Sequence, residues 1–371
     1  MDIICDKEQC FGCCACYNSC PVDAISMVED DWGNIVPSIS QQKCIDCGKC
    51  KKVCPAINDS DFKKPIKTYA AVAKDEYIYT TATSGGIATV MSKYVLENNG
   101  VVYGAAFKEN TSELKHIRVK NIDDLEKLKG SKYVQSNIGL SLNQVKKDLN
   151  DGLLVIFIGT PCQVDGLINF LGNDYENLIT VNLICHGVPA NKLLTEHIKS
   201  NLNTNDACEI SFRNNSKYVL TLKTNKYILY QNIFYKDLFF TGFMRKTFFR
   251  NSCYSCKYAQ QNRIGDFTIG DFWGFNQNKP FCVDAKNGLS VILVNTKKGN
   301  LFFDKISDKL IFQKRELEEA VNGNPQLKYP SKKNRNFEKF RKLYLKYGFE
   351  KAANKTLLIY KIAYKIIFSL K

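Results

Sequence analysis

Cysteines near the start of the chain have the spacing that iron–sulfur clusters require. The pattern CxxCxxCxxxCP occurs twice, over residues 10–21 and 44–55. A 4Fe-4S cubane needs four thiolates around it. Three cysteines at two-residue gaps supply three of them, and the fourth cysteine of each run reaches the other cluster. The spacing therefore predicts two clusters, one held by Cys10, Cys13, Cys16 and Cys54 and the other by Cys44, Cys47, Cys50 and Cys20.

Zinc is the alternative for these cysteines, because CxxC pairs also form four-thiolate zinc centres. Zinc requires neither the third cysteine of each run, nor the xxxCP ending, nor the tandem repeat, so the pattern favours iron and sulfide. Cys5 and Cys14 fall outside the motif and are predicted to be free thiols.

Four further cysteines are candidates for another metal site. Cys162 lies in GTPCQ and Cys185 in CHGVP, each directly after a predicted strand, and Cys253 and Cys256 form a CxxC pair. Because the carboxyl ends of neighbouring parallel strands meet at one edge of a sheet, the first two thiols are expected to approach each other. Buried core cysteines would give the same pattern, and the spacing alone leaves both interpretations open.

The segment TSGG, residues 83–86, opens a predicted helix. Free amides at a helix start bind phosphate, but SGG is also an ordinary helix cap, and both interpretations remain. The chain has neither GxGxxG after a strand nor a Walker A motif, which excludes an NAD-type fingerprint and a P-loop. The three histidines, His116, His186 and His197, form no HExxH motif and are predicted to be structural or exposed.

Composition and hydrophobic pattern divide the chain into three parts. Ten of the sixteen cysteines precede residue 55, and the polar stretch 58–65 that follows predicts a boundary. Strand–helix–strand patterns from residue 68 indicate parallel crossovers, whereas the later strands have an antiparallel pattern. We predict an α+β and α/β fold, with a ferredoxin-like domain over 1–60, a mixed-sheet α/β domain over 66–325 and a basic helical tail over 326–371. The predicted strands are 24–28, 33–37, 69–74, 101–107, 153–159, 178–184, 209–213, 218–223, 226–230, 266–270 and 290–295, and the predicted helices before the tail are 86–98 and 163–171.

Most of the excess positive charge lies in the tail. Of the net charge of +15, residues 328–371 contribute +11 and the rest of the chain +4. A nearly neutral body without a recognition module argues against nucleic-acid binding. The tail is predicted to form an amphipathic helix whose apolar side is Ile359, Ile362, Ile366, Ile367 and Leu370. Such a helix either covers a protein core or lies on an anionic membrane surface.

Two sequence features bear on location. No apolar run approaches the roughly 20 residues that span a bilayer, and no charged and apolar leader precedes the first cysteines. We therefore expect a cytoplasmic protein, with peripheral contact at the inner membrane face as the alternative if the tail binds lipid.

Several motifs together resemble one known family. Over residues 66–325 the chain is similar to the coenzyme F420 hydrogenase/dehydrogenase beta-subunit family, and its first 60 residues resemble bacterial two-cluster ferredoxins. The motifs that carry the family resemblance are TSGG at 83–86, KGSKYVQS at 129–136, GTPCQ at 159–163, CHGVP at 185–189, CxxC at 253–256 and GDFTIGDFWG at 265–274.

The resemblance implies that the α/β domain binds FAD. It assigns Ser84, Gly85 and Gly86 to the FAD pyrophosphate and places Lys129, Ser131, Lys132 and Gln135 along the flavin. It also implies that Cys162, Cys185, Cys253 and Cys256 hold a third 4Fe-4S cluster. Asp266, Asp271 and Trp273 are weaker candidates, since a turn and a core aromatic would explain them equally well.

The number of electrons that each carrier exchanges explains why the implied function needs a flavin. A hydride carrier delivers two electrons, whereas a cubane accepts one, so FAD is expected to stand between them, with Lys132 stabilising the reduced flavin. The expected partners are reduced coenzyme F420 or another hydride carrier and, at the other end, ferredoxin or a partner redox subunit, in an anaerobic setting. Two alternatives stay open: an electron-relay subunit without a substrate of its own, and a ferredoxin-dependent flavin reductase of an organic molecule.

Overall fold

A computed structural model describes residues 3–109, 111–202, 209–214, 217–224, 226–275 and 278–369. Within these ranges the strands are β1 (Ile25–Glu29), β2 (Ile35–Ile39), β3 (Lys67–Ala73), β4 (Val101–Phe107), β5 (Leu114–Val119), β6 (Val155–Gly159), β7 (Leu178–Leu183), β8 (Glu209–Asn214), β9 (Lys217–Lys223), β10 (Ile228–Ile233), β11 (Phe267–Asp271), β12 (Ser290–Val294) and β13 (Leu310–Lys314). The α-helices are α1 (Ala15–Ser19), α2 (Lys49–Lys52), α3 (Glu76–Thr81), α4 (Ile87–Glu97), α5 (Ser141–Asn150), α6 (Pro161–Leu171), α7 (Asn191–Asn201), α8 (Leu238–Met244), α9 (Lys297–Ile306), α10 (Leu317–Gly323), α11 (Phe337–Tyr347) and α12 (Phe349–Ser369).

An eight-stranded mixed sheet forms the centre of the molecule. Its strands lie in the order β13-β3-β12-β11-β7-β6-β4-β5. The neighbours β11, β7, β6 and β4 are parallel, and the other pairs in this sheet are antiparallel. The predicted mixed-sheet α/β fold is thus confirmed. The strands after residue 205 were expected to be antiparallel, and this holds for β8–β10 and for β12. Strand β11 differs, because it lies between β12 and β7 and pairs in parallel with β7.

Helices cover both faces of this sheet. Apolar side chains of α4 and α9 pack on one face, where Val90, Met91 and Phe303 are fully buried with sheet residues. On the other face, α5 and α6 pack together with the first cysteine loop. Helix α6 and that loop approach closely, since a Cβ on Gly166 would lie 2.9 Å from Cys13 Sγ. The cysteine-rich segment therefore shares its packing with the α/β body.

The cysteine-rich segment itself is built on a short hairpin. Strands β1 and β2 pair antiparallel, with Ile25 opposite Ile39. The short helices α1 and α2 lie within the two cysteine runs and carry Cys16 and Cys50, and Ile4 and Ile25 form a small core with the thiols. A hydrophobic centre this small leaves the loops dependent on what the thiols bind.

The basic tail is anchored to the body over its first half. Phe340 of α11 and Phe349, Ala353 and Leu357 of α12 are fully buried in an aromatic core that includes Phe239 of α8. The tail thus covers a protein core with side chains other than those of the predicted apolar side. Farther along α12 the apolar residues Ile359, Ile362, Ile366 and Ile367 are exposed, and Leu370 lies outside the described residues. Among the described helices, none is both long enough and apolar enough to cross a membrane.

A buried histidine ties the tail to the body. His197 of α7 bonds through Nε2 to Asp237 at 2.8 Å, and through Nδ1 to Glu350 of α12. Burial acts to lower the pKa of His197, but the charge of Asp237 and the hydrogen bonds to both carboxylates outweigh it and raise this pKa to about 9. The imidazolium therefore holds α7, α8 and α12 together.

This linkage predicts a specific pH dependence of stability. Because the folded pKa of His197 exceeds its ordinary value of 6.5, the charged imidazole stabilises the fold fully below pH 6.5 and loses this effect as pH rises through about 9. The free energy of unfolding should fall by about 2 to 3 kcal/mol across this window. Anaerobic urea unfolding at several pH values measures it. His197→Gln should lack this component, and identical pH profiles for the two proteins would contradict the assignment.

Candidate functional site

The structure gathers the predicted ligands of the first two clusters into two separate sets. Cys10, Cys13, Cys16 and Cys54, the first thiol set, line one small cavity. Cys20, Cys44, Cys47 and Cys50, the second thiol set, line another. In each set three thiols come from one motif and the fourth from the other, which is the crossed arrangement that the spacing predicts.

Tight backbone turns bring these thiols together. Gly12, Cys14, Asp46 and Gly48 have left-handed backbone conformations, with φ between +51° and +72°. At Gly12 a side chain is also excluded by contact, because a Cβ would lie 2.7 Å from a guanidinium nitrogen of Arg250. These turns let the two cysteine loops curve around the cavities that their thiols line.

Two cysteines outside the motif also reach the first cavity. Cys5 and Cys14 line it together with the first thiol set. A hydrogen bond from Cys5 lowers the pKa of Cys10 to about 6, against the effect of burial and with help from the charge of Arg250. Cys5 and Cys14 are free cysteines, as predicted, but nothing in their spacing signals that they line this cavity.

The third thiol set, Cys162, Cys185, Cys253 and Cys256, also comes together. Burial, with a contribution from the thiols of Cys185 and Cys256, raises the pKa of Cys162 to about 12. Burial likewise raises the pKa of Cys185 to about 11, with Cys256 adding to the shift. Cys253 lies beside the loop that holds Cys185, because a Cβ on Gly187 would lie 3.1 Å from Cys253 Cβ and the Gly187 amide donates to Cys185 Sγ at 3.4 Å.

The fold explains how Cys162 is placed. Thr160 caps α6, and the Gln163 side chain accepts from the Thr160 amide at 3.0 Å in a capping box. Pro161 occupies the first helical turn, so Cys162 projects from the helix start, where the helix dipole favours a negative sulfur. The motif GTPCQ is thus the helix cap that orients the thiol.

The donor chemistry of the three sets fits iron–sulfur clusters. Each set offers four sulfur atoms, and thiolate is the ligand that 4Fe-4S clusters take from proteins. Across the described ranges, no three His, Cys, Asp or Glu side chains converge closely enough to hold a single metal ion. The first and second thiol sets each line a small cavity.

Arg250 and Tyr258 connect the first and third thiol sets. Arg250 donates to the carbonyl oxygens of Cys10 and, at 2.9 Å, of Ile35, and its charge also lowers the pKa of Cys162. The buried Tyr258 ring packs against Phe11, with centroids 5.4 Å apart. Burial raises the pKa of Tyr258, and the thiols of both sets contribute to the rise. The two sets are therefore separated by packed side chains.

A buried cation stands beside the third thiol set. Arg263 is 2% exposed and donates to the Tyr258 carbonyl at 2.6 Å and to Asn182 Oδ1 at 2.9 Å. Burial lowers the pKa of this guanidinium to about 10, while the charges of Cys256 and Cys185 act in the opposite direction. In the described part of the chain its hydrogen-bond acceptors are all neutral, and Cys256 and Cys185 are the ionisable groups that act on its pKa. Arg250, Tyr258 and Arg263 were not predicted as site residues. The one feature of the sequence that could have indicated them is their position next to the motifs at 253–256 and 265–274.

The loop before α4 owes its glycines to packing. A Cβ on Gly85 would lie 2.3 Å from the Ala71 carbonyl oxygen, and the Gly85 amide already donates to Ser290 Oγ at 2.9 Å. Gly86 has φ +80° and starts α4 without a side-chain cap. The uncapped amides of the first turn of α4, and not that of Gly85, are therefore the groups open to an anion.

The segment 129–135 is divided between two sites. Ser131 Oγ lies 3.2 Å from Thr83 Oγ1, so its loop adjoins residues 83–86. Lys129 pairs with Glu126, and Lys132 donates to the carbonyl oxygens of Leu128, Lys129 and Gly130, which form its own turn. Gln135 turns the other way, donating to the Phe11 carbonyl at 2.7 Å and accepting from Arg250.

A cavity of about 690 Å³ lies next to the loop 83–86. Asp271, Trp273 and Gly288 line it, and a Cβ on Gly288 would lie 2.9 Å from Ser84 Cα. Asp271 is the last residue of β11, which pairs in parallel with β7, and a Cβ on the preceding Gly270 would lie 3.0 Å from Ile184, the residue before Cys185. The cavity is therefore close to Ser84 at its Gly288 wall and to the end of β7, which precedes Cys185, at its Asp271 wall.

Of the three weaker candidates, two line this cavity. Trp273 is 54% exposed at its wall, and Asp271 accepts from Arg213 at 2.7 Å. Asp266 is buried and accepts from Thr180 at 2.9 Å, which is a structural role. Sequence alone could not separate the three, because all lie in one motif.

Arg263 generates a prediction about iron content. Replacing it by Gln leaves the charge of the third thiol set unbalanced in a buried place, a change that typically costs several kcal/mol. We expect Arg263→Gln to contain about eight iron atoms per chain where the unmodified protein contains about twelve. Iron and sulfide analysis after anaerobic purification measures this. Arg263→Lys should retain more iron than Arg263→Gln, and the exposed control Arg335→Gln should match the unmodified protein. Full iron content in Arg263→Gln would refute the charge-balancing role.

Comparisons with known proteins agree with these observations. Residues 68–143 and 153–320 match the N-terminal and C-terminal domains of coenzyme F420 hydrogenase/dehydrogenase, beta subunit, and residues 9–57 match a 4Fe-4S dicluster domain. The chain is 25% identical over 343 residues to a coenzyme F420-dependent sulfite reductase of Methanocaldococcus jannaschii, covering 87% of this chain and 48% of that protein. It is 27% identical over 205 residues to an uncharacterized protein of the same organism, covering 47% and 56% of the two chains.

A solved structure provides a further comparison. A chain of the F420-reducing [NiFe] hydrogenase complex from Methanosarcina barkeri aligns with a TM-score of 0.47 and 19% identity, over 80% of this chain and 94% of that chain. The chain spans about half the length of the curated relatives it matches. Its two matched domains and the preceding cysteine motifs show that it belongs to the coenzyme F420 hydrogenase/dehydrogenase beta-subunit family and carries a 4Fe-4S dicluster domain ahead of the family domains.

Proposed function

We propose that the chain is an FAD-dependent iron–sulfur oxidoreductase that exchanges electrons between reduced coenzyme F420, or a similar hydride carrier, and one-electron carriers. The observation that carries the proposal is the cavity lined by Asp271 and Trp273, which is close to Ser84 at its Gly288 wall and to the end of β7, before Cys185, at its Asp271 wall. A two-electron ligand held there would stand next to one-electron centres. The family supplies the class of reaction, and a relative that is F420-dependent by name supports the choice of donor.

The residues around the cavity suit a planar, charged organic cofactor. Trp273 offers an exposed ring for stacking. The uncapped start of α4 offers amides to a pyrophosphate. Ser84 and Ser131 offer hydroxyls on the two adjoining loops, although Ser84 Oγ already accepts from Ser290. When bound, FAD exchanges electrons in pairs with a hydride carrier and singly with 4Fe-4S clusters.

The three thiol sets follow one another from the cavity to the surface. Cys185 follows β7, whose end lies beside the Asp271 wall of the cavity, and Arg250 and Tyr258, which flank the CxxC pair of the third set, contact Cys10 and Phe11 of the first loop. The second set shares both cysteine runs with the first and includes the exposed Cys47. Packed side chains exclude water between the inner sets, which suits electron exchange and protects the thiols from oxidation.

Lys132 is the residue we assign to tuning the flavin. Burial lowers the pKa of its ammonium to about 7, so its charge is adjustable near neutrality. Three carbonyl oxygens of its own turn hold Nζ in place beside the loop that adjoins Ser84. A cation so placed favours the reduced, negatively charged form of a flavin.

The direct test is anaerobic mixing with hydride donors. Protein reconstituted with FAD, iron and sulfide should lose its flavin absorbance on addition of reduced coenzyme F420, and the EPR signal of reduced clusters should follow. NADPH serves as the comparison donor. No bleaching with either donor would eliminate the hydride step. Clusters that dithionite reduces while hydride donors do not would favour the relay alternative, and reoxidation only by an added organic acceptor would favour the reductase alternative.

Lys132 yields a second test with a pH dependence. Above pH 7 the amine loses its charge, so the rate of flavin reduction by the donor should fall as pH rises through about 7. Lys132→Met should reduce flavin on the order of tenfold more slowly at pH 6, whereas Lys132→Arg should keep the rate without the pH dependence. Stopped-flow absorbance measures both. The exposed control Lys146→Met should behave as the unmodified protein, and a flat pH profile in that protein would disprove the role.

A further inference from the structure

The second thiol set reaches the surface of the molecule. Cys47 is exposed, whereas all four thiols of the first set are buried. Cys5, which neighbours the first set, is partly exposed. Around Cys47 two apolar side chains are also exposed, Ile45 at 62% and Val22 at 37%. Val22 and Ile45 line the same cavity as the second thiol set. An apolar rim around an exposed ligand is a feature of surfaces that contact another macromolecule.

This surface is basic on balance, with four exposed lysines against the exposed Asp46 and Asp23, the latter next to Val22. Lys43, Lys49, Lys51 and Lys52 are exposed, and Asp46 is the one acidic residue of the segment 43–52. Three of these lysines lie on α2, which carries the buried ligand Cys50. Positive charge grouped around a redox site attracts a negatively charged partner and raises its association rate.

We propose that this surface, defined by Val22, Ile45, Cys47 and the four lysines at 43, 49, 51 and 52, docks a small acidic protein that carries single electrons, of the ferredoxin type. The inference rests on the proposed function, because it assumes that the second thiol set holds a cluster. Each encounter moves one electron, so one protein loses one reducing equivalent and the other gains one, with no bond made and no proton transferred.

The basic tail is the competing surface, and charge variants separate the two. The docking variant Lys49→Glu/Lys51→Glu/Lys52→Glu and the control variant Lys339→Glu/Lys342→Glu/Lys346→Glu on α11 change the net charge equally, and all six lysines are exposed. A third variant with Gln at 49, 51 and 52 removes charge without reversing it, for the case in which glutamates beside Cys50 disturb cluster assembly. Iron content and the EPR signal after dithionite establish that each variant is loaded.

The measurement is electron transfer from the dithionite-reduced protein to an oxidised acidic two-cluster ferredoxin, followed by stopped flow at several salt concentrations. The second-order rate constant of the unmodified protein should fall as salt rises, because exposed charges are screened. The docking variant should be slower on the order of tenfold at low salt, the Gln variant intermediate, and the tail variant within about twofold of the unmodified protein. A salt-independent rate, or an equal loss in the docking and tail variants, would overturn the proposal. Because dithionite supplies the electrons, this result does not depend on hydride donors, whose failure would refute the proposed function alone.

Discussion

A thiol buried away from water resists ionisation unless positive charge lies beside it, and the centre of this structure is organised around that constraint. Burial raises the pKa of Cys162 and Cys185 well above that of a free thiol. Each inner thiol set accordingly has a guanidinium next to it, Arg250 at the first and Arg263 at the third. The iron of a cluster would offset the negative charge of the thiolates, and Arg250 and Arg263 would add to this effect.

The same constraint links the cysteine-rich segment to the α/β body. Arg250 belongs to the loop that precedes the CxxC pair, yet it donates to carbonyl oxygens of Cys10 and Ile35. Gly166 of α6 and Gly12 of the first loop lack side chains where the two parts touch. A segment with so small a core of its own is held in place by these contacts, so the body supports the first thiol set as well as the third.

Much of the site was predictable from sequence because iron–sulfur ligation is a local pattern. Two-residue gaps confine three thiols to one tight loop, and the crossed fourth ligand follows from the tandem repeat. For the third set, sequence placed Cys162 and Cys185 at one sheet edge, and the parallel register of β6 and β7 brings them there. Gln135 was expected beside the flavin because it shares a motif with Lys132. In the structure its side chain hydrogen-bonds to Phe11 and Arg250, next to the first thiol set.

Ligand spacing, the mixed α/β pattern and the concentration of positive charge in the tail were determined by the sequence itself, because each depends on neighbours along the chain. Tertiary structure alone decided which cations stand beside the thiols, where the cavity lies and how far the tail is buried. Arg263 meets Cys185, and Glu350 meets His197, across long stretches of chain. Such meetings depend on strand order and helix packing, for which a single sequence has no local signal.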